Sequence, residues 1–430
     1  IRVGIDRQTF AIQKHGGISR YFSDLFLGLK DRNDVEAELL FSRHQNEYLL
    51  SQGIGKNIGS LQSKLYTKAM SMGKWNVPIS KKVQIEHSTY YLGAPKKIPG
   101  SGLLVATLYD MIPELYPHYF KSNPHANKIA WLSESDLIIC ISKTAASDLA
   151  YFYPKLAKKA KCIHLYSGFS HGARQNKPKE GNTESPFFLY VGQRGAYKNF
   201  SLLLRAFAAS EPLKHGYSLL FAGGGAFSKK ELEDIARLNI KGYVTQLSVT
   251  DASLWYLYCN ASAVLVPSLS EGFSLPLVEG LSADVPVVCS DIPVHREVAK
   301  DYAQVINPMQ HDDWADILRS AEKLTKPSAA LGEQQYQERL RYFSRDRMVE
   351  EHAEAYKSLE NLLKNNEKIF IDDSSLLKDK YAPGSFLGDV LLIIQSGASV
   401  SDLVESTKLE RAYILSSLID VISLESQSTF

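Results

Sequence analysis

The run PSLSEGFSLPLVE, Pro267–Glu279, directly follows the apolar segment Val264–Val266. The apolar segment reads as a buried strand. Pro276 suits the first turn of a helix, where a missing N–H is harmless. Glu271 then lies in a strand-to-helix loop, and Glu279 in the first helical turns. The N–H groups of Phe273, Ser274 and Leu275 open the helix, and a helix N-terminus favours anions. A carboxylate such as Glu271 accepts hydrogen bonds from two sugar hydroxyls at once. Together these features suit a ligand carrying both phosphates and sugars. The alternative is a surface helix whose acids merely complement the dipole.

Upstream, FFLYVGQRGAYKNF at Phe187–Phe200 repeats the pattern: a buried strand ends at Gly192, and Arg194 and Lys198 follow in a glycine-containing loop. Arg supplies a planar fork and Lys a point charge, an effective pair for a diphosphate, although loop cations are also commonly just solvated. Further strands are expected at Ile1–Ile5, Val35–Phe41, Leu103–Leu108, Leu137–Ile141, Ser218–Ala222, Ala263–Val266 and Val285–Cys289. Ile18–Lys30 has apolar residues at helical spacing. This alternation predicts an α/β protein with parallel sheets covered on both faces. The polar stretch Arg174–Pro186 lacks an apolar pattern and reads as a linker. Two doubly wound domains are therefore expected, with ligands at the carboxyl ends of the strands in the cleft they share. The expected division is 1–180, 186–343, a crossing helix at 344–365 that packs back toward the N-terminal domain, and an acidic helical tail or start of another module at 366–430.

Composition excludes several classes. Hydrophobic residues are 44% and charged residues 22% of 430, near the globular average, so disorder and collagen-like or coiled-coil classes are ruled out. Lys plus Arg is 49 against 47 for Asp plus Glu, and a net +2 argues against nucleic acid as the main partner. The tail from Glu367 to Phe430 has ten acids and five bases, and that balance also argues against DNA. Cys140, Cys162, Cys259 and Cys289 show no zinc spacing and read as reduced. No apolar run reaches the roughly 18 residues of a membrane span. His15–Arg20 (HGGISR) places Gly16 and Gly17 in a turn before the first helix. There the missing Cβ atoms either let backbone approach a ligand or simply make the turn tight. Gly223–Gly225 reads as a plain turn. Gly55–Lys82 holds Lys56, Lys64, Lys68, Lys74, Lys81 and Lys82 without an acid, interleaved with Leu61, Leu65, Met70, Met72 and Trp75. It reads either as a surface for an anionic bilayer or as a solvated loop.

These motifs, in this order, resemble the GT-B fold retaining glycosyltransferases of family 4 (glycosyl transferases group 1). The resemblance rests on HGGISRYF at His15–Phe22, EHSTYY at Glu86–Tyr91, LYDMIPELYP at Leu108–Pro117, SDLIICISKTAASDL at Ser135–Leu149, YVGQRGAYKNF at Tyr190–Phe200 and PSLSEGFSLPLVEG at Pro267–Gly280. It covers nearly all of residues 1–364 and leaves the tail uncovered.

The resemblance implies roles. Arg194 and Lys198 match the pair that stabilises the departing nucleotide diphosphate. Glu271 matches the carboxylate on the donor-sugar hydroxyls, and Glu279 the one that holds the ribose. The backbone of Gly272, Phe273, Ser274 and Leu275, and of Gly16 and Gly17, would cradle phosphate and sugar. Val249 falls where backbone meets the base. Tyr109 stands where the family often has His, with Asp110 after it to orient a hydroxyl. His87 matches an acceptor-side histidine, with a structural turn histidine as the alternative. Ser274 replaces a common Gly. The family needs no metal and no cofactor beyond its nucleotide-diphosphate sugar donor, here with GDP-mannose as first choice. The implied acceptor is a growing glycan, lipid-linked in many relatives, which places the enzyme in the cytoplasm or peripherally on the inner face of the cell membrane. Ile1 in place of an initiating Met reads as part of a longer protein. Two alternatives stand beside a hexosyltransferase of surface-polysaccharide synthesis: a GT-B nucleotide-sugar epimerase, and a noncatalytic sugar-nucleotide-binding module.

Overall fold

A computed structural model of the chain describes residues 1–72, 83–95, 102–169, 177, 183–211 and 216–365, the last five as backbone alone. Most of the expected linker at Arg174–Pro186, the residues Lys74, Trp75, Lys81 and Lys82, and the expected tail at 366–430 lie outside the described residues. The chain forms two compact units. The first is Ile1–Gly168 with the described residues from Arg339 onward, and the second is Phe169–Glu338.

In the first unit, β1 (Arg2–Ile5), β2 (Glu36–Leu39), β3 (Ile85–Ser88), β4 (Leu103–Leu108), β5 (Leu137–Cys140) and β6 (Ala160–Cys162) form one parallel sheet ordered β2-β1-β3-β4-β5-β6. The order reverses between β1 and β3, so the carboxyl ends of these two strands form the natural crevice of this sheet. Helix α1 (Gly17–Lys30) buries Tyr21, Phe22, Leu25, Phe26 and Leu29. Each such side chain contributes roughly 1.5–3 kcal/mol by leaving water.

The helix Arg345–Asn365 belongs to this unit too. A Cβ on Gly28 of α1 would lie 2.5 Å from Val349 Cγ2, so the two helices meet where one has no side chain. Tyr21 OH bonds His352 Nε2 at 2.5 Å, Tyr356 OH bonds His87 Nδ1 at 2.7 Å, and Gln84 Nε2 donates to Glu360 Oε1 at 2.8 Å.

In the second unit, β7 (Phe187–Val191), β8 (Ser218–Ala222), β9 (Val244–Leu247), β10 (Ala263–Val266), β11 (Val287–Ser290) and β12 (Gln304–Ile306) are again all parallel, ordered β9-β8-β7-β10-β11-β12. This is the strand order of a dinucleotide-type sheet, with its switch point between β7 and β10. Its crossover helices include α2 (Phe200–Ala209), α3 (Lys229–Arg237), α4 (Asp251–Asn260), α5 (Leu275–Ser282) and α6 (Pro293–Ala299). Phe188, Leu203, Phe207, Phe221 and Trp314 anchor a core that is sealed from solvent.

Candidate functional site

The two strongest sequence signals leave neighbouring strands at the switch point of the second unit. Arg194 and Lys198 follow β7, and Glu271 follows β10. Leu269 N donates to Tyr197 O at 2.7 Å and stitches the two loops together. Lys198 Nζ contacts both oxygens of Glu271, at 2.6 and 2.7 Å, and Ser268 Oγ donates to Glu271 Oε1 at 2.7 Å. Burial pushes the Glu271 carboxyl up. The attraction and hydrogen bond of Lys198, the Ser268 hydroxyl and His295 together outweigh it, and the group sits below its ordinary value. It is therefore a carboxylate at neutral pH.

Glu279 lies in the second turn of α5, 7% exposed, where the Tyr258 hydroxyl of α4 donates to its Oε2 at 2.5 Å. Pro276 occupies the first turn of α5, as expected. Ser274 precedes α5 in the left-handed region, φ 77°, where a glycine would be unstrained. Its Oγ is buried without a partner. Phe273 is 2% exposed and anchors the loop, and Val249 is half-buried between β9 and α4.

Arg194 is held differently from Lys198. Its side chain is 4% exposed. Nε donates to Glu231 Oε1 at 2.7 Å, Nη1 to Gly223 O at 3.2 Å, and Nη2 to Gly225 O and Ala226 O, each at 3.0 Å. Four of its five N–H groups are thus committed. Gly223, Gly224 and Gly225 all have positive φ, and a Cβ on Gly224 would lie 2.6 Å from Arg194 Nη1. The glycine run is therefore more than the plain turn the sequence suggested, because its carbonyls wrap a guanidinium. Glu231 also forms the capping box of α3 with Ser228. Burial raises its carboxyl, but Arg194 and Ser228 bring it below the ordinary value.

His295 of α6 was missed in sequence, since a lone His in DIPVHREV carries no spacing signal. It is fully buried, and its Nδ1 bonds Ser290 O at 2.8 Å. A carbonyl only accepts, so Nδ1 carries the proton and Nε2 is a buried acceptor without a partner. Burial lowers its pKa to about 4, Lys198 adds to the fall, and Glu271 and the Ser290 carbonyl oppose it.

In the first unit the expected residues gather at the carboxyl edge of the sheet. Gly16 and Gly17 open α1. Gly16 has an extended backbone, and a Cβ there would lie 2.5 Å from Gln13 Oε1, the atom that accepts from Ser19 N. The missing side chain makes room for that internal cap. Asp110 Oδ1 accepts from Ile112 N at 3.0 Å. Tyr109 is 7% exposed and donates to Thr89 O at 2.7 Å, within a cluster that includes Tyr90 and Tyr91.

The acceptor-side reading of His87 is corrected. His87 lies in β3 with no exposed surface, and both ring nitrogens are engaged, Nδ1 by Tyr356 OH and Nε2 by Thr107 Oγ1 at 2.9 Å. It is a core histidine that ties the sheet to the helix Arg345–Asn365.

Residues 173–338 match the family described as glycosyl transferases group 1. The chain is 28% identical over 222 residues to the O-antigen chain mannosyltransferase RfbU of Salmonella typhimurium, covering 51% of this chain and 60% of that protein. It is 26% identical over 219 residues to the serotype-specific mannosyltransferase WbdA of Escherichia coli, covering 46% of this chain and 27% of WbdA. With the O-antigen chain mannosyltransferase B of Escherichia coli it shares 31% identity over 147 residues, 30% of this chain and 39% of that one. The chain thus spans less than two thirds of the length of these relatives.

Among solved structures, Anabaena Alr3699/HepE in complex with UDP and glucose superposes with a TM-score of 0.60 at 16% identity, covering 83% of this chain and 100% of that one. Sucrose-phosphate synthase from Thermosynechococcus elongatus gives 0.58 at 15% identity, covering 84% and 99%. At such identities the likeness gives the fold alone. That fold is GT-B, as the motifs led us to expect.

Proposed function

We propose that this chain is a retaining, metal-independent glycosyltransferase. It moves a hexose, mannose in the first instance, from a nucleotide-diphosphate sugar to a growing glycan in bacterial surface-polysaccharide synthesis. The observation that carries this reading is the Lys198–Glu271 pair at the switch point of the second unit, at the head of a helix that holds Glu279. The family match and the mannosyltransferases among the relatives support it.

Glu271 accepts hydroxyls of the donor sugar, and Glu279 holds the ribose. Lys198 turns from Glu271 toward the diphosphate as negative charge develops on it, with Arg194 fixed beside it. The anomeric carbon–oxygen bond to the diphosphate breaks, and a bond to the acceptor oxygen forms on the same face. The acceptor's proton passes to the leaving phosphate oxygen. Preorganised cations and helix N–H groups supply the electrostatic stabilisation.

Among the described residues no helix is long and apolar enough to cross a membrane. A cytoplasmic enzyme with peripheral membrane contact is part of the proposal, and the helix Ser60–Ser71 supports it. Met70 and Ser63 are buried, while Leu61 (72% exposed) and Leu65 (60%) line the opposite face, with Met72 (57%) just beyond the helix and Lys64 and Lys68 beside them. Lysines flanking an exposed apolar stripe suit an anionic bilayer surface.

The test is a transfer assay with GDP-mannose, UDP-glucose and UDP-galactose on a lipid-linked oligosaccharide acceptor, with the anomeric configuration of the product read by NMR. Acceptor-dependent transfer with retention is expected. Sugar interconversion without acceptor, or nucleotide-sugar binding with no turnover on any acceptor, would overturn the reading.

A further inference from the structure

The first unit carries a pair of arginines that nothing in the proposed transfer uses. Arg7 follows β1 after Asp6, at the carboxyl edge that also presents Gly16, Gly17 and Asp110. Its guanidinium lies 4.6 Å from the Tyr66 ring centroid and 5.9 Å from that of Phe41. Nε is sealed from solvent with no acceptor, and neither Nη makes a hydrogen bond to a described residue. Arg43, in the short strand Arg43–His44, is exposed and likewise has no ion pair among the described residues.

The charges that act on Arg7 are informative. Burial weakens its hold on the proton, the Arg43 charge weakens it further, and only the Tyr66 phenol opposes them. No carboxylate acts on it. Arg7 in turn lowers the pKa of buried His44, for which burial is the larger cause. Half-buried guanidiniums are ordinarily paired, because burying an uncompensated charge is costly. Arg43 lies two residues beyond Phe41, one of the two rings beside Arg7. Two arginines brought to one place with no carboxylate paired to either among the described residues, one of them with a buried unsatisfied N–H, form a site that lacks its anion.

We propose that Arg7 and Arg43 bind a phosphate or diphosphate ester, the phosphorylated end of the acceptor. Arginine suits this task because its fork matches two phosphate oxygens. Tyr66 and Phe41 hold the Arg7 plane in place, so little side-chain entropy is lost on binding. The identification of the ligand with the acceptor rests on the proposed transfer; the anion site itself does not.

The test uses the full chain saturated with GDP or UDP, so that the second unit is occupied, and then titrated with pyrophosphate by calorimetry. A further binding event is expected. Arg7→Met removes the guanidinium but keeps a long unbranched side chain beside Tyr66, and Arg43→Gln removes only an exposed charge. Each should weaken that event at least tenfold and leave nucleotide affinity unchanged. If circular dichroism shows that Arg7→Met has unfolded, Arg43→Gln alone carries the comparison. Absence of the event in the parent chain, or an event unaltered by both substitutions, overturns the proposal. Failure to bind any nucleotide would instead count against the transferase reading, and the pyrophosphate titration would still read the arginine site.

Discussion

Arg194 and Lys198 are four residues apart and look equivalent in the sequence, but their surroundings assign them different work. Lys198 is 20% exposed and pairs with one carboxylate that a donor sugar would claim. Arg194 is locked by Glu231 and three backbone carbonyls. On the proposed transfer, Lys198→Ala should therefore lower kcat by about 100- to 1000-fold, the usual effect of losing one group that stabilises transition-state charge, with a modest change in melting temperature. Arg194→Ala leaves Glu231 and the glycine-loop carbonyls without their partner. It should cost about 3–5 kcal/mol of stability as well as activity. Equal melting temperatures for the two variants would refute the distinction. Ser274 makes a second test. Its left-handed backbone costs roughly 1–2 kcal/mol, and its buried hydroxyl has no partner. Ser274→Gly should raise stability by about 1 kcal/mol in denaturant unfolding, after allowing for the entropy of glycine in the unfolded chain. If the hydroxyl meets the donor sugar, the KM for donor rises in the same variant. Lower stability would contradict the strain argument.

Elements differ in how far the sequence reveals them. Strands sealed on both faces, such as Leu103–Leu108 and Phe187–Val191, appear as continuous apolar runs and fell at the expected residues. The edge strands Ala160–Cys162, Val244–Leu247 and Gln304–Ile306 did not, because each is short and only partly buried. Ile85–Ser88 is central yet reads as polar, since its Glu86, His87 and Ser88 are buried. The Pro267–Glu279 site was legible because it is local: strand, loop and helix follow one another in the chain. The Arg194–Glu231 clasp and His295 were not, since their partners arrive from other βα units. Close approach between distant elements is equally invisible. Gly28 faces Val349, more than 300 residues away, at a distance no real Cβ tolerates. Gly28→Ala improves intrinsic helix propensity by about 1 kcal/mol, yet it should destabilise the first unit by about 1–3 kcal/mol through overpacking. An unchanged or higher melting temperature would show that the two helices can part without cost.

At the scale of the whole molecule, the core of each unit encloses imidazole in place of hydrocarbon. His87 and His352 stack in the first unit with ring centroids 6.1 Å apart, and His295 sits in the second. Burial lowers the pKa of His352 to about 4. The charges of Arg347 and Lys161 add to the fall, and its bond to the Met348 carbonyl opposes it. Burial, then the neighbouring His352, holds His87 well below its ordinary value, and His295 also falls to about 4. In each case the folded protein keeps the ring neutral where the unfolded chain would protonate it. Between about pH 6.5 and 4 the unfolded state therefore binds more protons. The stability these groups contribute is complete above pH 6.5 and is lost as pH falls toward 4, at up to about 1.4 kcal/mol per pH unit for each group. The depressed carboxylate of Glu271 adds to the loss only below its unfolded value of 4.5. Thermal unfolding should thus give a melting temperature that is level between pH 8 and 7 and falls from 6.5 to 5, the three rings together outweighing Asp6, whose carboxyl burial raises and which works in the opposite sense. A melting temperature that is flat or rises across that lower interval would mean that one or more of these rings is already charged in the folded protein, or that water reaches it.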